Sequence, residues 1–126
     1  FALFVSMDSY RSNAFYAERN LAISVLQKAR SQAISNVNQQ THGVYIDTLN
    51  KRYIIFEGAT HISIPSTNIV VPFISSTASL SGLGVSNEVV FNQLEGSITT
   101  VPSPLHISDS GNVADITLNN EGQINY

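Results

Sequence analysis

Three histidines, His42, His61 and His106, are the side chains best suited to move a proton or hold a metal near neutral pH, and they stand singly along the chain. None falls in an HExxH or paired-ligand spacing, so each reads as a structural or surface residue. Asp109 in "SDSGN" offers hard oxygen ligands of the kind calcium takes. Ile107 precedes Ser108 and no Glu follows at EF-hand spacing, so that stretch reads as a plain turn. "GLGVSN", residues 82 to 87, approaches a phosphate-binding loop but lacks a third Gly, a Lys and a following helix. Serines are plentiful, yet none lies in a GxSxG or SxxK setting. These residues name no catalytic group, no metal ligand and no cofactor. They point to a binding or assembly module and not to an enzyme.

The composition narrows the partners. The chain has 126 residues, 43% hydrophobic and 12% charged, with no cysteine, which fits one folded unit without disulfides or Cys-ligated zinc. All six basic residues (Arg11, Arg19, Lys28, Arg30, Lys51, Arg52) lie in the first 52 positions, beside Asp8, Glu18 and Asp47. The remainder carries Glu57, Glu88, Glu95, Asp109, Asp115 and Glu121 and no base. Such a body has little with which to neutralise phosphates, and nucleic-acid binding is disfavoured. The apolar opening "FALFV" is far short of the roughly 20 residues that span a bilayer. It reads either as ordinary packing or as the end of a longer hydrophobic helix.

The elements that would carry a binding surface follow from periodicity. From Ser6 to Asn38 there is neither Gly nor Pro, and helix formers abound. Ala14, Ala17, Leu21, Val25 and Ala29, with Ala22, Leu26, Ala33 and Val37 beside them, form one apolar stripe. Arg11, Glu18, Arg19, Lys28 and Gln32 fall mostly outside it. Residues 1–40 are therefore expected as a helix whose Leu21, Val25, Leu26, Ala29 and Ala33 dock on a sheet. A helix of some 35 to 40 residues spans roughly 50 to 60 Å, more than a compact domain of this size is wide. Residues 41–126 turn to a period of two. "GVYID" and "RYIIFEG" flank the turn "TLNK", and then come "HISI", "NIVVPFI", "NEVVFNQL", "GSITTV" and "LHIS". "VADITL" closes through "NNEG" on "QINY", with Ile116 and Leu118 on one face and Ile124 and Tyr126 repeating the alternation. Pro72 confines its run to a sheet edge or a bend. Residues 75 to 87 are expected as a mobile loop, and "PSPLHISDSGN" as a second irregular connection. The fold class is α+β: one long N-terminal helix packed on a β-domain of seven or eight short antiparallel strands, a single folding unit.

The order of these pieces resembles a known family. "NLAISVLQKARSQAISN" resembles the segment that closes the N-terminal helix in type IV pilin-like proteins of the GspH/FimT class. "GVYID", "RYIIFEG", "VVFNQLEG" and the closing "ITLNNEGQINY" follow in that class's order. The resemblance covers nearly the whole chain, in short degenerate pieces. It departs at the front, where the class has an aromatic start, a Glu four positions later and a continuous hydrophobic helix; here Val5 follows Phe1 at that distance. Phe1 is accordingly expected to lie inside that helix, with an apolar half upstream of it. The resemblance implies a minor pilin or pseudopilin, anchored in the inner membrane by the upstream helix before joining a type IV pilus or type II secretion pseudopilus. Phe1, Leu3, Phe4, Val5 and Tyr10 would then meet neighbouring subunits. Two other readings compete: a DNA-capturing minor pilin, and an extracellular domain that binds glycan or protein through its loops, with Tyr45 and Tyr53 as stacking candidates.

Overall fold

The computed structural model describes residues 2–84 and 86–126, and side chains from Asn13 onward. One helix, α1 (Ala2–Ile34), precedes eight strands: β1 (His42–Asp47), β2 (Arg52–Glu57), β3 (Ile69–Pro72), β4 (Ser79–Ser81), β5 (Glu88–Phe91), β6 (Leu105–Asp109), β7 (Asn112–Leu118) and β8 (Ile124–Asn125). They form two four-stranded antiparallel sheets, in the orders β3-β2-β1-β5 and β4-β6-β7-β8. The helix touches strands of both. The fold is therefore α+β, with the N-terminal helix packed on two antiparallel sheets.

One continuous core lies where the three layers meet. Val44, Ile46, Tyr53, Ile55, Val89 and Phe91 enter it from the first sheet, and Leu80, Leu105, Ile107, Ile116 and Leu118 from the second. The outer face of the first sheet is also covered, which is why β2 is buried along nearly all its length. Loop 58–68 folds back there, stacking His61 on Tyr45 with ring centroids 3.8 Å apart. Gly43 is required beneath this cover, since a Cβ on it would stand 2.5 Å from the Phe56 ring lying across from it.

Turn chemistry decides several boundaries. The helix ends at Ile34, short of the expected Gln40, because Asn36 takes the left-handed conformation at φ 55°. Asn is one of the few residues that do so at small cost, and it stops the helix as a glycine would. Val37 consequently leaves the stripe, is exposed, and begins a 3₁₀ turn. The β1–β2 hairpin forms as expected around Asp47 and Asn50, and β6 meets β7 through the two-residue turn Ser110–Gly111 at φ 51° and 88°. Pro72 ends β3 on the sheet's edge.

Other expectations fail, among them the irregular connection "PSPLHISDSGN", whose residues 105–109 form β6. "HISI" forms no strand: the Thr60 and Ser63 side-chain oxygens accept the backbone N–H groups of Ile62 and Thr60, closing a turn instead. "GSITTV" forms none either, because Gly96 turns the chain at φ 67° and Ile98 donates to the Asn120 carbonyl rather than to a strand. The segment expected as a mobile loop contains β4 and buries Ala78, Leu80 and Leu83. Tyr126, expected to alternate with Ile124 on the sheet, is 67% exposed and lies under the Arg19 guanidinium.

Candidate functional site: the helix seam

Docking of the helix follows the expected stripe with a shift of phase. Val25, Leu26, Ala29 and Ala33 are buried, while Leu21 is half-buried against the core. Ala14 and Ala17 are half-buried, and the innermost positions near them are Phe15, Glu18, Ala22 and Ile23. Steps from 15 to 18, 22, 25, 26, 29 and 33 trace one helical face, and Glu18 sits on it.

Glu18 corrects the sequence reading, which placed it on the solvent face. It is fully buried and joined to both sheets. The Tyr53 hydroxyl of β2 donates to its Oε2 at 2.8 Å, and the Ser75 backbone N–H donates to Oε1 at 2.9 Å. Ser75 Oγ in turn donates to Asp109 Oδ2 at 2.7 Å, and Thr77 Oγ1 to Asp109 Oδ1 at 2.7 Å. Burial, and then the charge and hydrogen bond of Glu18, push the Tyr53 phenol far above its ordinary value. Tyr53 thus remains a donor at any pH the protein meets. A buried carboxylate needs donors on its oxygens to offset desolvation, and this network supplies them. Asp109 does open the turn the sequence suggested, and it is also the buried acceptor that ends β6. Burial of Tyr53 also removes it as a sugar-stacking residue.

The seam closes differently at its other end. The Ala33 carbonyl accepts from the Leu94 N–H at 2.9 Å, so helix backbone bonds directly to the loop after β5. Arg30 reaches two loop carbonyls, Gly96 O through Nε and Glu121 O through Nη2, each at 3.3 Å. Gly122 makes this approach possible: a Cβ on it would lie 1.9 Å from Gly96 O and 3.0 Å from Arg30 Nε. A Cβ on Gly96 would lie 2.7 Å from the Ile34 side chain.

The histidines fall in three separate places. His42 is fully buried, its Nε2 3.5 Å from Glu57 Oε1, which accepts from Asn38 Nδ2 at 2.6 Å. His61 Nδ1 meets Glu88 Oε2 at 2.9 Å. His106 Nδ1 bonds Asp115 Oδ1 across β6 and β7. Strand register also sets Ser81 of β4 opposite His106, so Ser81, His106 and Asp115 stand in a row on one sheet face. Sequence spacing gives no sign of this row. No bond joins Ser81 to His106 among the described residues, and His106 and Asp115 are each more than half exposed. The serine is therefore not activated in this arrangement. Among the described residues no three His, Asp or Glu side chains gather closely enough to hold a metal ion.

Of the positions expected to meet other subunits, Phe1 and the side chains of Leu3, Phe4, Val5 and Tyr10 lie outside the described residues. Among the described residues no helix is long and apolar enough to cross a membrane. No family model, curated protein or solved structure matches the chain.

Proposed function

We propose that this chain is a minor pilin or pseudopilin, a structural subunit that primes assembly or sits at the tip of a type IV pilus or type II secretion pseudopilus. One observation carries the reading. The 33 residues of α1 extend about 50 Å. A domain of 126 residues has a radius of gyration of about 14 Å, so the helix is longer than its own domain can cover. The family resemblance stated above supplies the rest: the front of the helix, through Phe1, Leu3, Phe4, Val5 and Tyr10, packs on other subunits. An apolar segment upstream anchors the chain in the inner membrane before assembly. In this reading the work is done by packing, with no cofactor and no chemical step.

The test is the protein isolated from its own cells, by intact mass and N-terminal sequencing of the envelope and sheared-filament fractions. A hydrophobic run ahead of Phe1, beginning with an aromatic residue and a Glu four positions later, supports the reading. A charged segment there overturns it. Two substitutions divide the helix: Val25→Asp is expected to destabilise the domain, since it buries an unpaired charge, whereas Tyr10→Asp is expected to leave the melting temperature unchanged and impair assembly. Salt-sensitive duplex DNA binding by the domain would favour the DNA-capturing alternative instead.

A further inference from the structure

The two edges of the first sheet differ in what they offer a passing chain. Hydrogen-bonded pairing of Lys51 with Phe73 sets the phase of the β2–β3 ladder, so Val70 and Pro72 turn their backbone groups outward. Pro72 has no N–H, which leaves that edge a poor template. On the other side, the Ile46 N–H donates to Asn87 O, and the same alternation turns the N–H and C=O of Glu88 and Val90 away from β1. Among the described residues nothing bonds to them; the next outward donor, Asn92 N–H, is taken by Ser97 O. Residues 88–90 of this edge and residues 98–103 line a groove of about 600 Å³. The walls include Leu83, Val90, Ile98 and Val101, with Glu88 as the one charged side chain, its Oε2 already bonded to His61 Nδ1 and its Oε1, among the described residues, left for a partner.

We infer that β5 is a strand-addition site, and that its occupant is an extended segment of another protein chain. The segment pairs with the free groups of Glu88 and Val90, sets β-branched side chains against Val90, Ile98 and Val101, and carries Lys or Arg rather than an acid beside Glu88. Backbone pairing supplies the affinity of such recognition, and the groove and its single carboxylate supply the choice. An acidic segment is disfavoured because no Lys or Arg lines the groove and none follows Arg52 in the sequence, while the nearby His61 is held by Glu88. The other open edges offer less: β4 has three residues and β8 two. This inference rests on the sheet edge and not on the filament reading.

A phage-displayed random dodecapeptide library, selected on the folded protein, supplies the probe. Selected peptides are synthesised and titrated while backbone amide exchange is followed by NMR. The expected result is that basic, β-branched peptides are enriched and that exchange at Glu88 and Val90 slows at least about tenfold at saturation. Val90→Pro removes the outward donor and spares the bonds to β1, though it also fixes φ and takes the valine side chain from the groove wall; it is expected to abolish binding while the protein remains folded. Glu88→Lys, an independent variant, is expected to reverse the charge preference of the selected peptides. The inference is overturned if no peptide is selected, if selected peptides protect other amides, or if the folded Val90→Pro protein binds them as the parent does.

Discussion

Around Glu18 the seam between helix and sheets is closed by side chains that hydrogen-bond to one another, whereas at Ala29 and Ala33 it is closed by backbone brought against backbone. The first region spends a buried carboxylate, a phenol, two hydroxyls and a second carboxylate on the join. The second uses residues with almost no side chain, Ala29, Ala33, Gly96 and Gly122, and lets Arg30 fasten two loop carbonyls. The difference teaches that one docked helix can obtain position from directional bonds at one end and from shape at the other. Titration should disturb only the first.

Gly122→Ala should do the most damage. Its Cβ would stand 1.9 Å from Gly96 O, on a backbone at φ 81°. A loss of about 4 kcal/mol is expected, read by denaturant melts and equal across the neutral and alkaline range. Next comes Glu18→Ala, which leaves the Tyr53 hydroxyl and the Ser75 N–H buried without an acceptor; about 3 kcal/mol should be lost. If the two variants showed the same pH profile, the contrast between the two regions would be broken.

Tyr53→Phe should cost less, about 2 kcal/mol, because one hydrogen bond to a charged group goes while the ring stays packed. Its diagnostic is alkaline. The folded-state pKa of Tyr53 is raised above its unfolded value, so the stability it contributes is present below about pH 10 and lost as pH climbs above that. Melting temperature should therefore fall above about pH 10 in the parent, and fall less steeply in the variant. The smallest effect belongs to a polar cluster outside the seam. The Asn50 side chain first, then its backbone N–H and Arg52, hold the Asp47 carboxyl below its ordinary value. Since the folded value is the lower one, that contribution is present above about pH 4 and lost as pH falls further. Asp47→Asn should cost less than about 1 kcal/mol at neutral pH and flatten the acid limb of the melting curve.

What the sequence made legible followed from pairing between neighbours in the chain. The β1–β2 hairpin, the β7–β8 return and the docking of Val25, Leu26, Ala29 and Ala33 all rest on alternation, helical spacing and short turns. Glu18 was misplaced because a charge counts as solvent-facing in any periodicity, although Phe15 three positions before it and Ala22 four after it mark its face. "HISI" and "GSITTV" alternate well enough, but a strand needs a partner, and nothing local reveals that Thr60, Ser63 and Gly96 turn the chain first. The free edge of β5 was illegible for the same reason, since it exists only once β1 has taken the other side.

Ser75 holds the Glu18 carboxylate with its backbone N–H and the Asp109 carboxylate with its hydroxyl. It is therefore a rivet between the helix and the second sheet. Tension applied along the helix meets directional bonds at this residue, alongside the direct contacts that the helix makes with β6.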